Sequence, residues 1–108
     1  MNKRNVLRHL KKSLTFIEQG WTQGAIARDK TGKALSKATA KKAVAWCAMG
    51  ALDKSVGGRI DLVDLTLEFL VKNLPKRFVL VTDFNDYDKT KQKDVVRLFK
   101  KCIKKLET

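Results

Sequence analysis

Two apolar stripes, one at each end of the chain, constrain its fold most. From Asn5 to Glu18, Val6, Leu10, Leu14 and Ile17 recur at helical spacing, with Leu7 beside them. Near the other end Val95, Phe99, Cys102 and Leu106 do the same, helped by Leu98 and Ile103. A period of about 3.6 residues puts each set on one side of a helix, where other elements must cover it. A chain of 108 residues has room for one compact domain, residues 1–108, around a single core.

The opposite faces of these two helices are cationic. Arg4, Arg8, Lys11 and Lys12 lie across from the first stripe. Lys93, Arg97, Lys100 and Lys104 run along the far side of the last helix, flanked by Lys101 and Lys105. The chain holds 24 Lys and Arg against 11 Asp and Glu, a formal charge of +13. Most of that excess lies near the two ends, whereas residues 59–74 carry more acids than bases. Such a surface gathers a polyanion through its long-range field.

Between the stripes the pattern varies. From Trp21 to Ser36 the periodicity lapses, and Asp29-Lys30-Thr31-Gly32-Lys33 has the composition of a turn, which reads as a short hairpin or an ordered loop. Gly20 sits where a left-handed glycine closes the first helix. Ser36 caps a second, alanine-rich helix to about Val56, ended by Gly57-Gly58. Ile60 to Leu74 predicts a third, mostly apolar helix with Asp61, Asp64 and Glu68 on a narrow stripe, and Pro75 stops it. Phe78-Val79-Leu80-Val81 is a strand pairing with the Trp21–Leu35 region, or an extended core segment. The fold class is mainly α: about four helices around one core, with a small β-hairpin or short β element.

Several chemistries find little support. Arg8, His9, Lys11 and Lys12 break any apolar run behind the basic N-terminus, so no signal peptide is expected. No stretch approaches the roughly 18 apolar residues that span a bilayer. Cys47 and Cys102 sit at apolar positions and read as reduced, buried thiols of a cytoplasmic protein. His9 is the sole histidine and borders an apolar face, a place for packing rather than for a general base. Zinc has only three scattered N or S donors, well short of a typical set of about four. Asp83, Asn85, Asp86 and Asp88 resemble a calcium loop, but Lys91 and Arg97 stand where its glycine and glutamate belong. Asp86, Asp88 or Thr90 capping the last helix is the better account. No catalytic set, metal site or cofactor is expected.

Trp21, Thr22 and Gln23, with Arg28 and Asp29, concentrate polar groups beside an aromatic. Two readings remain open. Either these residues form a small pocket with Asn85 and Asp86, or Trp21 closes the core while Arg28 and Asp29 pair with each other or with the backbone.

Three motifs resemble a known family. Gly20-Trp21-Thr22-Gln23-Gly24-Ala25, followed by Ala27-Arg28-Asp29 and Gly32, is similar to the opening of domain-of-unknown-function family 6197. Trp46-Cys47-Ala48-Met49-Gly50-Ala51-Leu52 resembles that family's Cys-x-x-Gly-Ala-Leu segment, and Asn85-Asp86 followed by Thr90 resembles its Trp-Asn-Asp ending. Phe84 replaces the usual Trp, the connection to Thr90 is shorter, and Lys89 replaces the usual Arg. The resemblance implies a small bacterial or phage cytoplasmic protein and supplies no activity.

The expected function is a non-enzymatic binding module whose ten helical cations contact nucleic-acid phosphates. Lysine outnumbers arginine and no groove-reading motif is present, which favours backbone contact over sequence reading. An accessory protein docking on an acidic protein partner is the alternative. A membrane-surface role is weaker because the apolar helix faces are committed to the core. An enzyme built around Thr22, Arg28, Cys47 and Asn85-Asp86 would place a concave pocket where the two loops meet.

Overall fold

In the computed structural model, residues 3–108 are described. Five α-helices and a small three-stranded antiparallel sheet surround one cluster of buried apolar side chains. The terminal stripes do what their spacing predicts. Helix α1 runs Lys3–Gln19 and buries Val6, Leu10 and Ile17; helix α5 runs Gln92–Glu107 and buries Val95, Leu98, Phe99, Cys102 and Ile103. The pair is antiparallel: Gln92 Nε2 donates to Ile17 O at 2.8 Å, and Lys11 Nζ meets a Glu107 carboxylate oxygen at 3.0 Å. Leu10, Ile17, Val95 and Phe99 are wholly buried. Each such side chain contributes roughly 1.5–3 kcal/mol on leaving water.

The expected hairpin is present. Strands β1 (Ala27–Arg28) and β2 (Ala34–Leu35) pair antiparallel, with Ala27 opposite Leu35. Asp29 Oδ1 ties the turn by accepting from Thr31 N, Thr31 Oγ1 and Lys33 N at 2.6–3.0 Å. Those bonds, the hydroxyl's first, hold its carboxyl below the ordinary range. Gly32 supplies the positive φ, 88°, that the turn needs.

The third strand comes from elsewhere than expected. Residues 36–47 are not helical; they form turns leading into β3 (Ala45–Trp46), which pairs with β1. Long-range partners outcompete the alanine helix propensity: Val44 N donates to Arg28 O at 2.9 Å and Trp46 N to Gly20 O at 3.0 Å. Trp46 Nε1 donates back to Ala38 O at 2.9 Å, while its ring packs on Phe16 at 5.3 Å. Only Ala48–Ser55, α2, remains helical, and Gly57 and Gly58 end it with positive φ as expected. Its cap is Cys47, whose Sγ accepts from Gly50 N at 3.3 Å, rather than Ser36.

Two further expectations are corrected. The Ile60–Leu74 segment splits into a 3-10 turn, Ile60–Leu62, and helix α3, Asp64–Lys72. Phe78–Val81 forms no strand and is core only at its two ends, where Phe78 packs against the buried cluster and Val81 is 3% exposed. Val79 and Leu80 are 74% and 56% exposed, and Val81–Asp86 forms α4. A turn closed by Phe78 N on Pro75 O directs the chain outward there.

Gly20 does not adopt a left-handed conformation. A side chain there would strike the Val44 carbonyl, so close backbone approach requires the glycine. Gly50 is similar, because its α-carbon faces the Ile26 carbonyl, which accepts from Cys47 N at 3.3 Å. Gly50→Ala is expected to cost about 1–3 kcal/mol through overpacking, read as a fall in the urea midpoint. A midpoint at the wild-type value contradicts this approach of α2 to the sheet.

His9 is buried at 5% exposure, as its place beside the stripe suggests, and Nδ1 has no partner among the described residues. Burial, then the Arg8 and Lys12 charges, push its pKa below 6.5. The unfolded chain therefore binds the proton more readily. Stability from neutral His9 is complete above pH 6.5 and declines as pH falls through the lower folded pKa. His9→Leu is expected to flatten this acid-side decline in urea midpoint, and an unchanged decline contradicts the assignment.

Candidate functional site

Stretches distant in sequence converge at Asn85, on α4 and only 1% exposed. Asn85 Oδ1 accepts from Trp21 Nε1 at 2.8 Å and from Ala48 N at 2.9 Å. Its Nδ2 donates to Thr22 O at 3.1 Å and to Asp86 Oδ1 at 2.9 Å. One amide thus joins the Trp21 loop, the start of α2 and its own helix. Gln23 Nε2 strengthens the junction, donating to Asn85 O at 2.9 Å and Tyr87 O at 2.8 Å. Asp86 Oδ1 also accepts from Gly24 N at 3.1 Å.

Arg28 reinforces the loop from the side. It donates to Thr22 Oγ1 at 2.7 Å, Gln23 O at 3.0 Å and Gly32 O at 3.0 Å. It therefore pairs with the loop rather than with Asp29, whose carboxylate stays in its own turn. Trp21, Thr22, Gln23, Arg28, Asn85 and Asp86 come together through hydrogen bonds to one another and to nearby backbone, and of the six only Asp86 lines the adjoining cleft. Asp86 and Thr90 do not cap α5. Its first turn is closed by Asp94, whose carboxylate accepts from Lys91 N at 2.8 Å, and Thr90 is buried behind the turn that its N makes to Tyr87 O.

Beside the junction lies an open cleft of about 290 Å³, lined by Gly24, Cys47, Met49, Thr82 and Asp86. Burial raises the Cys47 thiol pKa despite the amide bonds from Gly50 and Met49. Burial also pushes Cys102 up to about 11. Both thiols are free, and both hold their protons near neutrality. Among the described residues no three His, Cys, Asp or Glu side chains gather in a way that could hold a metal ion.

The cations occupy a different surface. Arg4, Arg8, Lys11 and Lys12 on α1 are all exposed, as are Lys93, Arg97, Lys100, Lys101, Lys104 and Lys105 on α5. Among the described residues only Lys11 and Arg97 of these ten make ion pairs, with Glu107 at 3.0 Å and Asp94 at 3.7 Å. Antiparallel packing sets the two cationic helices against one another. The spacing in sequence showed each charged face. The pairing of the faces depends on tertiary packing.

Sequence reasoning missed two features. Lys54 lies 5.1 Å from the Phe16 ring centre and 5.4 Å from that of Trp46, a cation over aromatics with no local sequence signal. Asn73, Pro75, Phe84, Asp94, Arg97, Leu98 and Lys101 line a second cavity, assembled from three helical regions. Among the described residues no helix is long and apolar enough to cross a membrane.

No curated protein and no solved structure matches the chain. A family of unknown function, DUF6197, matches residues 1–105 and so takes in all three motifs that meet at Asn85. The chain belongs to that family.

Proposed function

We propose that this protein is a small, non-enzymatic cytoplasmic module that binds the phosphate backbone of nucleic acid through α1 and α5. The observation that carries this reading is the pair of adjoining helices with ten exposed cations, eight of them outside any ion pair among the described residues. A helix pair fixed by its buried stripes holds those charges without further ordering of the backbone, so a polyanion meets a preformed surface. Phosphate contacts position a strand without reading bases, in keeping with a lysine-rich face.

Fluorescence anisotropy with labelled duplex DNA, single-stranded DNA and RNA tests the proposal. Binding at low salt that weakens as salt rises is expected. Absence of binding to all three at low salt overturns it.

An acidic protein partner is the second reading. It is favoured by Val79 and Leu80, exposed shortly after Lys76 and Arg77 with only Phe78 between, so that an apolar anchor stands near two cations in sequence. A stoichiometric complex from nuclease-treated lysate, weakened by Leu80→Ser, is the result that this reading expects.

A further inference from the structure

Helix α3 turns one face to solvent. Asp64, Glu68 and Lys72 recur at four-residue spacing and are exposed, so they form a single ridge along that face. Leu65, at 43% exposure, flanks the ridge on one side, and Val71, at 36%, flanks it on the other. None of the three charged side chains makes an ion pair among the described residues. Leu65, Glu68 and Lys72 also border a groove of about 370 Å³, completed by Lys3, Val6, Phe69 and Leu106.

Charge selects what can cover this face. Residues 59–74 hold three acids against two bases, in a chain whose formal charge is +13. Two copies meeting by α1 or α5 would bring like-charged faces together, whereas α3 imposes no such penalty. Order along the ridge matters as much as its total. The acids occupy its start and middle, and the base stands at its C-terminal end. Antiparallel apposition of two ridges sets the acids of each copy against Lys72 of the other, while a parallel one sets like against like. Such a ridge is self-complementary, which is what a twofold contact requires.

We infer that α3 is the contact face of a homodimer, in which two copies pair antiparallel through Asp64, Glu68 and Lys72, with Leu65 and Val71 flanking the charges. The contact is small. Nine residues at about 1.5 Å each give a face about 13 Å long, short of what the roughly 800 Å² per subunit of a standard interface needs. The dimer is therefore weak, with a Kd on the order of 100 μM. It needs no nucleic acid and stands apart from the phosphate-binding reading.

Sedimentation equilibrium of the full chain, freed of nucleic acid, tests the dimer from about 10 μM to about 1 mM. A monomer–dimer equilibrium is expected. Glu68→Lys and Lys72→Glu should each weaken it about tenfold, because each leaves a ridge that repels its own copy. Mixing the two variants should restore association, since oppositely charged ridges then meet while the total charge of the pair is unchanged. That recovery also shows that both variants are folded. Leu65→Ser should weaken association as well. A chain that stays monomeric up to about 1 mM overturns the dimer and leaves this face to a different protein. Association that neither charge variant weakens, or that mixing fails to restore, places the contact elsewhere and overturns it too.

Discussion

Asn85→Ala is expected to destabilise the fold by about 3–5 kcal/mol, the largest stability effect of any polar substitution considered for this chain. The side chain makes four hydrogen bonds at 2.8–3.1 Å, and its residue is 1% exposed. Alanine leaves Ala48 N, Trp21 Nε1 and Thr22 O without those partners. Orphaned buried groups cost about 1–3 kcal/mol each, and partial relaxation keeps the total below their sum. Urea unfolding measures the change. Asn85→Asp is a sharper probe: it keeps an acceptor for Trp21 and Ala48, loses both donors and places a second carboxylate beside Asp86. A loss below about 1 kcal/mol for Asn85→Ala contradicts the view that this amide joins the three motifs.

Reversing charge along α5 is expected to have the largest effect on binding. Lys93, Lys100 and Lys104 are exposed, lie on one stripe and make no ion pair among the described residues. Changing all three to Glu should lower nucleic-acid affinity about a hundredfold or more at moderate salt and make the salt slope shallower by about 3. Exposed substitutions away from core contacts usually change stability by only about 0.5 kcal/mol each, so the variant should remain folded. Unchanged affinity in a folded variant excludes this stripe from the binding surface. Unfolding would instead show that the stripe faces the interior.

The parts of the fold legible in sequence are those that local periodicity specifies. Val6, Leu10, Leu14 and Ile17, and then Val95, Phe99, Cys102 and Leu106, mark the faces of α1 and α5 without reference to any distant residue. The Asp29–Lys33 turn was legible for the same reason, because Asp29 bonds within its own five residues. Residues 36–47 were not. Their alanines favour a helix, but the amides of Val44 and Trp46 are claimed by Arg28 and Gly20 across the chain. Gly20 shows the same limit: its place after α1 suggests a helix stop, and only the Val44 carbonyl packed against it reveals the steric reason.

The candidate site divides similarly. Trp21, Gln23, Asn85 and Asp86 could be picked out by type, while their bonds join residues more than sixty positions apart. The ten cations could be read from spacing alone.

The most direct test of the central claim is the slope of log K against log salt for binding to duplex DNA. Six phosphates neutralised by the α1 and α5 cations predict a slope near −5 (about −0.9 for each contact). Affinity that stays flat between low and moderate salt contradicts a phosphate-binding face.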